Sequence, residues 1–147
     1  MTRTLHAAAC AVIVLASALL PSQVSAVSAI DSLTCTNKCP YFGDVYKGDT
    51  SFRSSILTNL KRAKIKKLRW FPDGVQTPVT PTKIDGQPYI FTSVCEPHNC
   101  PHQFVFLYQP TTRNLVGYYV DENDTVHIIG QPTALESVWI KDRVSEK

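Results

Sequence analysis

Six residues constrain this chain most: Cys95-Glu96-Pro97-His98-Asn99-Cys100. Two cysteines at this spacing can close a small ring, and the ring would hold one proline and one histidine. Proline fixes φ at about −65° and removes a backbone donor, and the residue before it is pushed out of the helical region. Another proline, Pro101, follows the second cysteine. An oxidised ring would therefore carry the His98 imidazole on a stiff, outward-pointing loop. A bridge over so short a loop contributes about 2 kcal/mol, so its main use is local shape. A rigid loop presenting one histidine is a candidate functional site.

Whether the ring is oxidised depends on where the chain works. Residues 1–26 read as a secretory signal peptide, with Arg3 ahead of an apolar run from Ala7 to Leu20. Small-residue cleavage signals follow at Val24-Ser25-Ala26 and Val27-Ser28-Ala29. The run is short and alanine-rich for a membrane span, and too little apolar sequence precedes Cys10 for a lipoprotein. Residues 27–147 are then expected to form one soluble, exported domain. Of the five cysteines, Cys10 leaves with the signal, and Cys35, Cys39, Cys95 and Cys100 remain. An even count in an oxidising compartment argues for disulfides over thiolate chemistry. Four cysteines allow three connectivities, of which the local pairs Cys35–Cys39 and Cys95–Cys100 are the simplest.

The formal charge of +3 falls to +2 without Arg3, too little to imply nucleic acid or an anionic membrane as partner. The main basic run, Lys61 to Arg69, reads as a solvated helix end.

Hydrophobic spacing predicts an α+β fold. The stretch from Val27 to Tyr46 looks irregular, with a turn at Cys35-Thr36-Asn37-Lys38-Cys39-Pro40. Asp49 or Thr50 can cap a helix whose apolar positions are Phe52, Ile56, Leu57, Leu60 and Ala63. After Phe71-Pro72-Asp73-Gly74 the period changes to that of strands. Pro78 and Pro81 place the next run, to Ile84, at a sheet edge, and Asp85-Gly86 is a hairpin turn. Strands are expected at 89–94, 103–108, 115–120 and 125–129, with Asp121-Glu122-Asn123-Asp124 as a polar turn. A short helix is expected at 134–138, with a loose tail from Lys141. About five strands joined by short turns make an antiparallel meander with the early helix on one face. The cysteine ring falls at one end, between the second and third predicted strands.

Several chemistries compete for the ring. Cys95, His98, Cys100 and His102 together could form a zinc or copper site, although oxidation in an exported chain would remove the two thiolates. A Cys–His nucleophilic pair needs a free thiolate. His98 could also be an exposed residue with no role, or a probe inserted into a partner's cleft. His127 reads as structural, Trp70 and Trp139 as packing residues, and Asn123-Asp124-Thr125 as a glycosylation acceptor that matters only in a eukaryotic secretory pathway. The sequence holds no Gly-rich phosphate loop, no defensible Ser/His/Asp order and no carboxylate pair placed for hydrolysis. As an enzyme the sequence is poor, so no catalytic activity, cofactor or resident metal is expected.

The ring, Cys95-Glu96-Pro97-His98-Asn99-Cys100, resembles the signature loop of the inhibitor of vertebrate lysozyme (Ivy) family, Cys-x-Pro-His-x-Cys. Lys47-Gly48-Asp49-Thr50 is similar to the family's Lys-Gly-Glu-Thr. Leu68-Arg69-Trp70-Phe71 falls where the family has a tryptophan segment closing the helix, and Leu115-Val116-Gly117 falls in order after the loop. The resemblance runs from Tyr46 to Trp139. It implies a curved antiparallel sheet with a helix on its convex side, in the periplasm of a Gram-negative bacterium. It further implies that the loop plugs the active-site cleft of a c-type lysozyme or a related muramidase, with His98 against the two catalytic carboxyls. A homodimer is compatible with it. Two departures stand out: the chain ends soon after Trp139, where the family continues, and the pair Cys35–Cys39 is an addition.

Overall fold

The computed structural model describes residues 26–145; the predicted signal peptide, up to Ser25, lies outside the described residues. Helix α1 (Phe42–Gly48) leads directly into α2 (Thr50–Arg62). Six strands follow: β1 (Val75–Gln76), β2 (Thr80–Ile84), β3 (Gln87–Glu96), β4 (Asn99–Gln109), β5 (Asn114–Val120) and β6 (Val126–Ile129). Helix α3 (Ala134–Ser145) closes the described chain. The strands form one antiparallel sheet in which β1 and β2 share the outer edge of β3, and β4, β5 and β6 follow in order. The α+β fold and the meander are as the spacing predicts; the sixth strand is the two-residue β1.

Side chains alternate across β4, and this builds two cores. Phe104, Phe106 and Tyr108 face α1 and α2, where Phe42, Val45, Phe52, Ile56 and Leu60 meet them. Val105 and Leu107 face the other way, toward Val116, Tyr118 and Ile140 of α3. Helices therefore cover both faces, not one. Burial of both faces explains why β3 and β4 read as nearly continuous apolar runs.

The capped helix is found where expected. Asp49 accepts the backbone N–H of Phe52 at 2.9 Å and, through its other oxygen, that of Ala29 at 2.9 Å. Leu57 departs from its predicted place on the apolar face. Phe52, Ile56 and Leu60 repeat every four residues and define the buried stripe, whereas Leu57 lies one step round the helix and is half exposed. Helix α1 replaces the irregular start. Its N-cap is Tyr41, whose backbone N–H donates to the Asp44 carboxylate at 2.9 Å, and a tyrosine cap with glycines at 43 and 48 gave no helical signal. Helix α3 also runs seven residues past the predicted 134–138, through the tail expected to be loose. Thr133 and Glu136 cap it reciprocally, at 2.7 and 3.2 Å. Tyr89 donates to the same glutamate at 3.0 Å, and Ile140 is fully buried.

Candidate functional site

The cysteine ring is the far end of one long hairpin. Strand β3 continues through Glu96 and β4 begins at Asn99, two residues earlier than Cys95–Cys100 would suggest if the whole ring were loop. Only Pro97 and His98 lie between the strands. His98 adopts a left-handed φ of 66°. Proline at the first turn position with positive φ at the second is the signature of a type II turn, and histidine tolerates that region better than most residues. Glu96 pairs with Asn99, but Cys95 pairs with Gln103, so Cys100, Pro101 and His102 bulge out of register. The Cys95–Cys100 disulfide, with Cα atoms 4.8 Å apart, clasps this bulge. Cys35 and Cys39 are joined as well.

The clasp is braced from beneath. His102 is buried, and its Nδ1 lies 2.8 Å from Oε2 of Glu96 while its Nε2 lies 2.6 Å from the Tyr119 hydroxyl. A neutral ring satisfies both contacts, with Nδ1–H donating to the carboxylate and Nε2 accepting from the hydroxyl. Asn99 Nδ2 donates to the same Oε2 at 2.9 Å. These bonds hold the Glu96 carboxyl below its ordinary pKa, the His102 contact first and the Asn99 contact second. Trp70 meets the His102 ring edge-on at 5.3 Å, and Tyr119 stacks on Phe104 at 4.5 Å. The line from Asn99 through Glu96, His102 and Tyr119 thus ends in the hydrophobic core. Gly74 permits this packing, because a Cβ there would run into the Cys95 carbonyl oxygen and the Trp70 ring.

His98 itself is exposed, as are Pro97, Asn99, Cys100 and Pro101. Its imidazole has no hydrogen-bond partner among the described residues. The four residues considered as metal ligands are not brought together as donors: both thiols are spent in a bond, and His102 is held by Glu96 and Tyr119. Sequence alone names Glu96 and Asn99 only as members of the ring and His102 as a metal-ligand candidate, and so misses the brace. The usable signal was cross-strand register, since Phe104 pairs with Tyr119 and puts the tyrosine beside the bulge. No family model matches the chain, and no curated protein matches it. The likeness to the lysozyme-inhibitor family therefore rests on the loop residues and the flanking motifs at 47–50, 68–71 and 115–117 alone.

The β5–β6 hairpin carries a second histidine–carboxylate pair. His127 Nε2 lies 2.9 Å from Asp121 Oδ2, and the N–H groups of Asn123 and Thr125 donate to Oδ1 at 2.9 and 3.0 Å. Together, His127 foremost, they lower the Asp121 pKa from 3.8 to about 2. A carboxyl with a depressed folded pKa stabilises the fold above its unfolded pKa and loses that contribution as pH falls through the folded value. Asp121→Asn is therefore expected to flatten the melting-temperature curve between pH 3.8 and about 2, relative to the parent.

The brace makes its own prediction. Glu96→Ala leaves a buried imidazole N–H unpaired, which costs about 1–2 kcal/mol, and its effect should be confined to the loop. Amide exchange at Asn99 and Cys100 should quicken, while the core amides of β4 and β5 keep their protection.

Proposed function

We propose that this protein is a proteinaceous inhibitor of c-type lysozyme, acting in the periplasm after export. The tip Pro97-His98 would enter the active-site cleft and set the His98 imidazole between the two catalytic carboxyls. One observation carries the reading: an exposed histidine without a partner of its own stands at the tip of a disulfide-clasped, core-braced turn. A side chain kept only for stability would have no use for such a mounting.

The chemistry of the target favours imidazole. Lysozyme holds one carboxyl protonated as general acid and the other ionised. Neutral imidazole accepts from the acid and donates to the carboxylate, which neither lysine nor arginine can do. The turn, the bridge and the Glu96–His102 contact lower the ordering cost of docking. Both hydrogen bonds to Glu96 land on Oε2, so Oε1 keeps its acceptor capacity beside the tip for a basic partner.

The test is the clearing of a bacterial cell-wall suspension by c-type lysozyme in the presence of the purified protein. Slowing that saturates as the two proteins approach equal concentration supports the proposal; unchanged clearing over a wide excess overturns it. A thiol count separates the alternative, a metal-binding module built on Cys95, His98, Cys100 and His102. That module needs free thiols and metal uptake by the native protein, whereas the inhibitor needs neither.

A further inference from the structure

The basic run from Lys61 to Arg69 takes no part in the loop; it is solvent-exposed, as its composition predicts, and it borders a crevice. Its six cations, Lys61, Arg62, Lys64, Lys66, Lys67 and Arg69, are all exposed. None belongs to an ion pair among the described residues. The chain reverses here through a Schellman-type cap. Lys64 takes the left-handed φ of 57°, its N–H reaches the Lys61 carbonyl at 3.1 Å, and the Ile65 N–H reaches that of Leu60 at 3.0 Å. This cap folds Ile65 back toward the end of α2 and leaves a crevice of about 440 Å³.

The crevice brings two kinds of side chain together. Leu57, Leu60, Ile65 and Phe104 belong to its apolar lining, and Lys61, Lys66 and Lys67 line it as well. No acidic residue lines it. The cleft on the other side of the same segment differs, because Asp121 and Glu122 stand in it.

We propose that the crevice binds a monomeric anionic amphiphile, one alkyl chain with a phosphate or carboxylate head. The chain would cover the half-exposed Leu57 and its neighbours, and the head would meet the lysines. Charge complementarity selects this occupant. A neutral apolar ligand would gain nothing from the three lysines, and a bare anion would leave the apolar wall wet. The volume lies within the usual range for small-ligand sites, about 300–1,000 Å³. The proposal is independent of lysozyme inhibition, since no residue of the loop lines the crevice.

Calorimetric titration of the purified protein tests it, with decyl phosphate below its micellar concentration as the probe. Decyl maltoside gives the chain without the charge, and inorganic phosphate the charge without the chain. Decyl phosphate is expected to saturate at one molecule per chain and to bind at least about tenfold more tightly than either control. The double variant Lys66→Glu/Lys67→Glu and the single variant Leu57→Asp should each weaken it by about tenfold or more while melting like the parent. His98→Ala should leave it unchanged. Equal binding of decyl maltoside, or variants that bind as the parent does, would overturn the site. So would association with phosphatidylglycerol vesicles but not with the monomeric probe, which would reduce the basic run to a diffuse surface charge.

Discussion

His98→Ala is expected to weaken inhibition of c-type lysozyme by about 2–4 kcal/mol, as for a central hot spot. That is roughly 30-fold to 1,000-fold in the inhibition constant. The loss arises because two carboxyls would be buried in the complex without the imidazole between them. Stability should hardly change, since the side chain is exposed and bonds to nothing in its own chain. The left-handed φ of 66° at this position adds a control. Alanine is disfavoured there and glycine is not, so His98→Gly removes the imidazole while keeping the turn. Equal losses for the two variants would locate the effect in the side chain. His98→Gln should recover part of the affinity, because its amide also donates and accepts, though from a longer and more flexible stem. Undiminished inhibition by both His98→Ala and His98→Gly would sink the cleft-plug mechanism.

The same mounting explains what could be read from residue order and what could not. Period-two alternation, Asp85-Gly86 and the prolines at 78 and 81 are local signals, and the elements they predict are present. Asp85 and Gly86 both take positive φ, 49° and 72°, as a type I′ turn requires. The paired cysteines were legible for the same reason: their spacing brings them together whatever the rest of the chain does. Helix α3 was not legible in full, because its anchor is tertiary. Ile140 packs under β4 and β5, and Glu136 is tied to Tyr89, 47 residues away. Leu57 shows the opposite failure, since helical spacing alone did not say where the buried stripe ends. The brace under His98 joins β3, β4 and β5 through Glu96, His102 and Tyr119. Each residue taken singly had a plainer reading, and only strand register puts them in one line.

Cutting the clasp should be the second large effect. Cys95→Ser/Cys100→Ser is expected to weaken inhibition by about 2 kcal/mol, roughly 30-fold. Closing so short a loop costs about that much chain entropy. In the parent the covalent bond has met this cost before the partner arrives, whereas in the variant it falls on the binding step. The rest of the molecule should hold. Cys100 is exposed, the clasp lies at the end of the hairpin, and the pairing from Val94–Phe104 to Ile90–Tyr108 is outside the ring. Serine substitution is preferable to reduction because it leaves Cys35–Cys39 intact. The far-ultraviolet circular dichroism of the variant should match that of the parent, and the amides of Asn99 and Cys100 (now Ser) should exchange faster. The brace limits the damage, because Glu96 and His102 still pin one side of the turn; removing both clasp and brace should therefore cost more than either alone. Inhibition that survives the serine pair unchanged, with the loop amides demonstrably mobile, would mean that the partner itself orders the tip and that preorganisation is the wrong account of this ring.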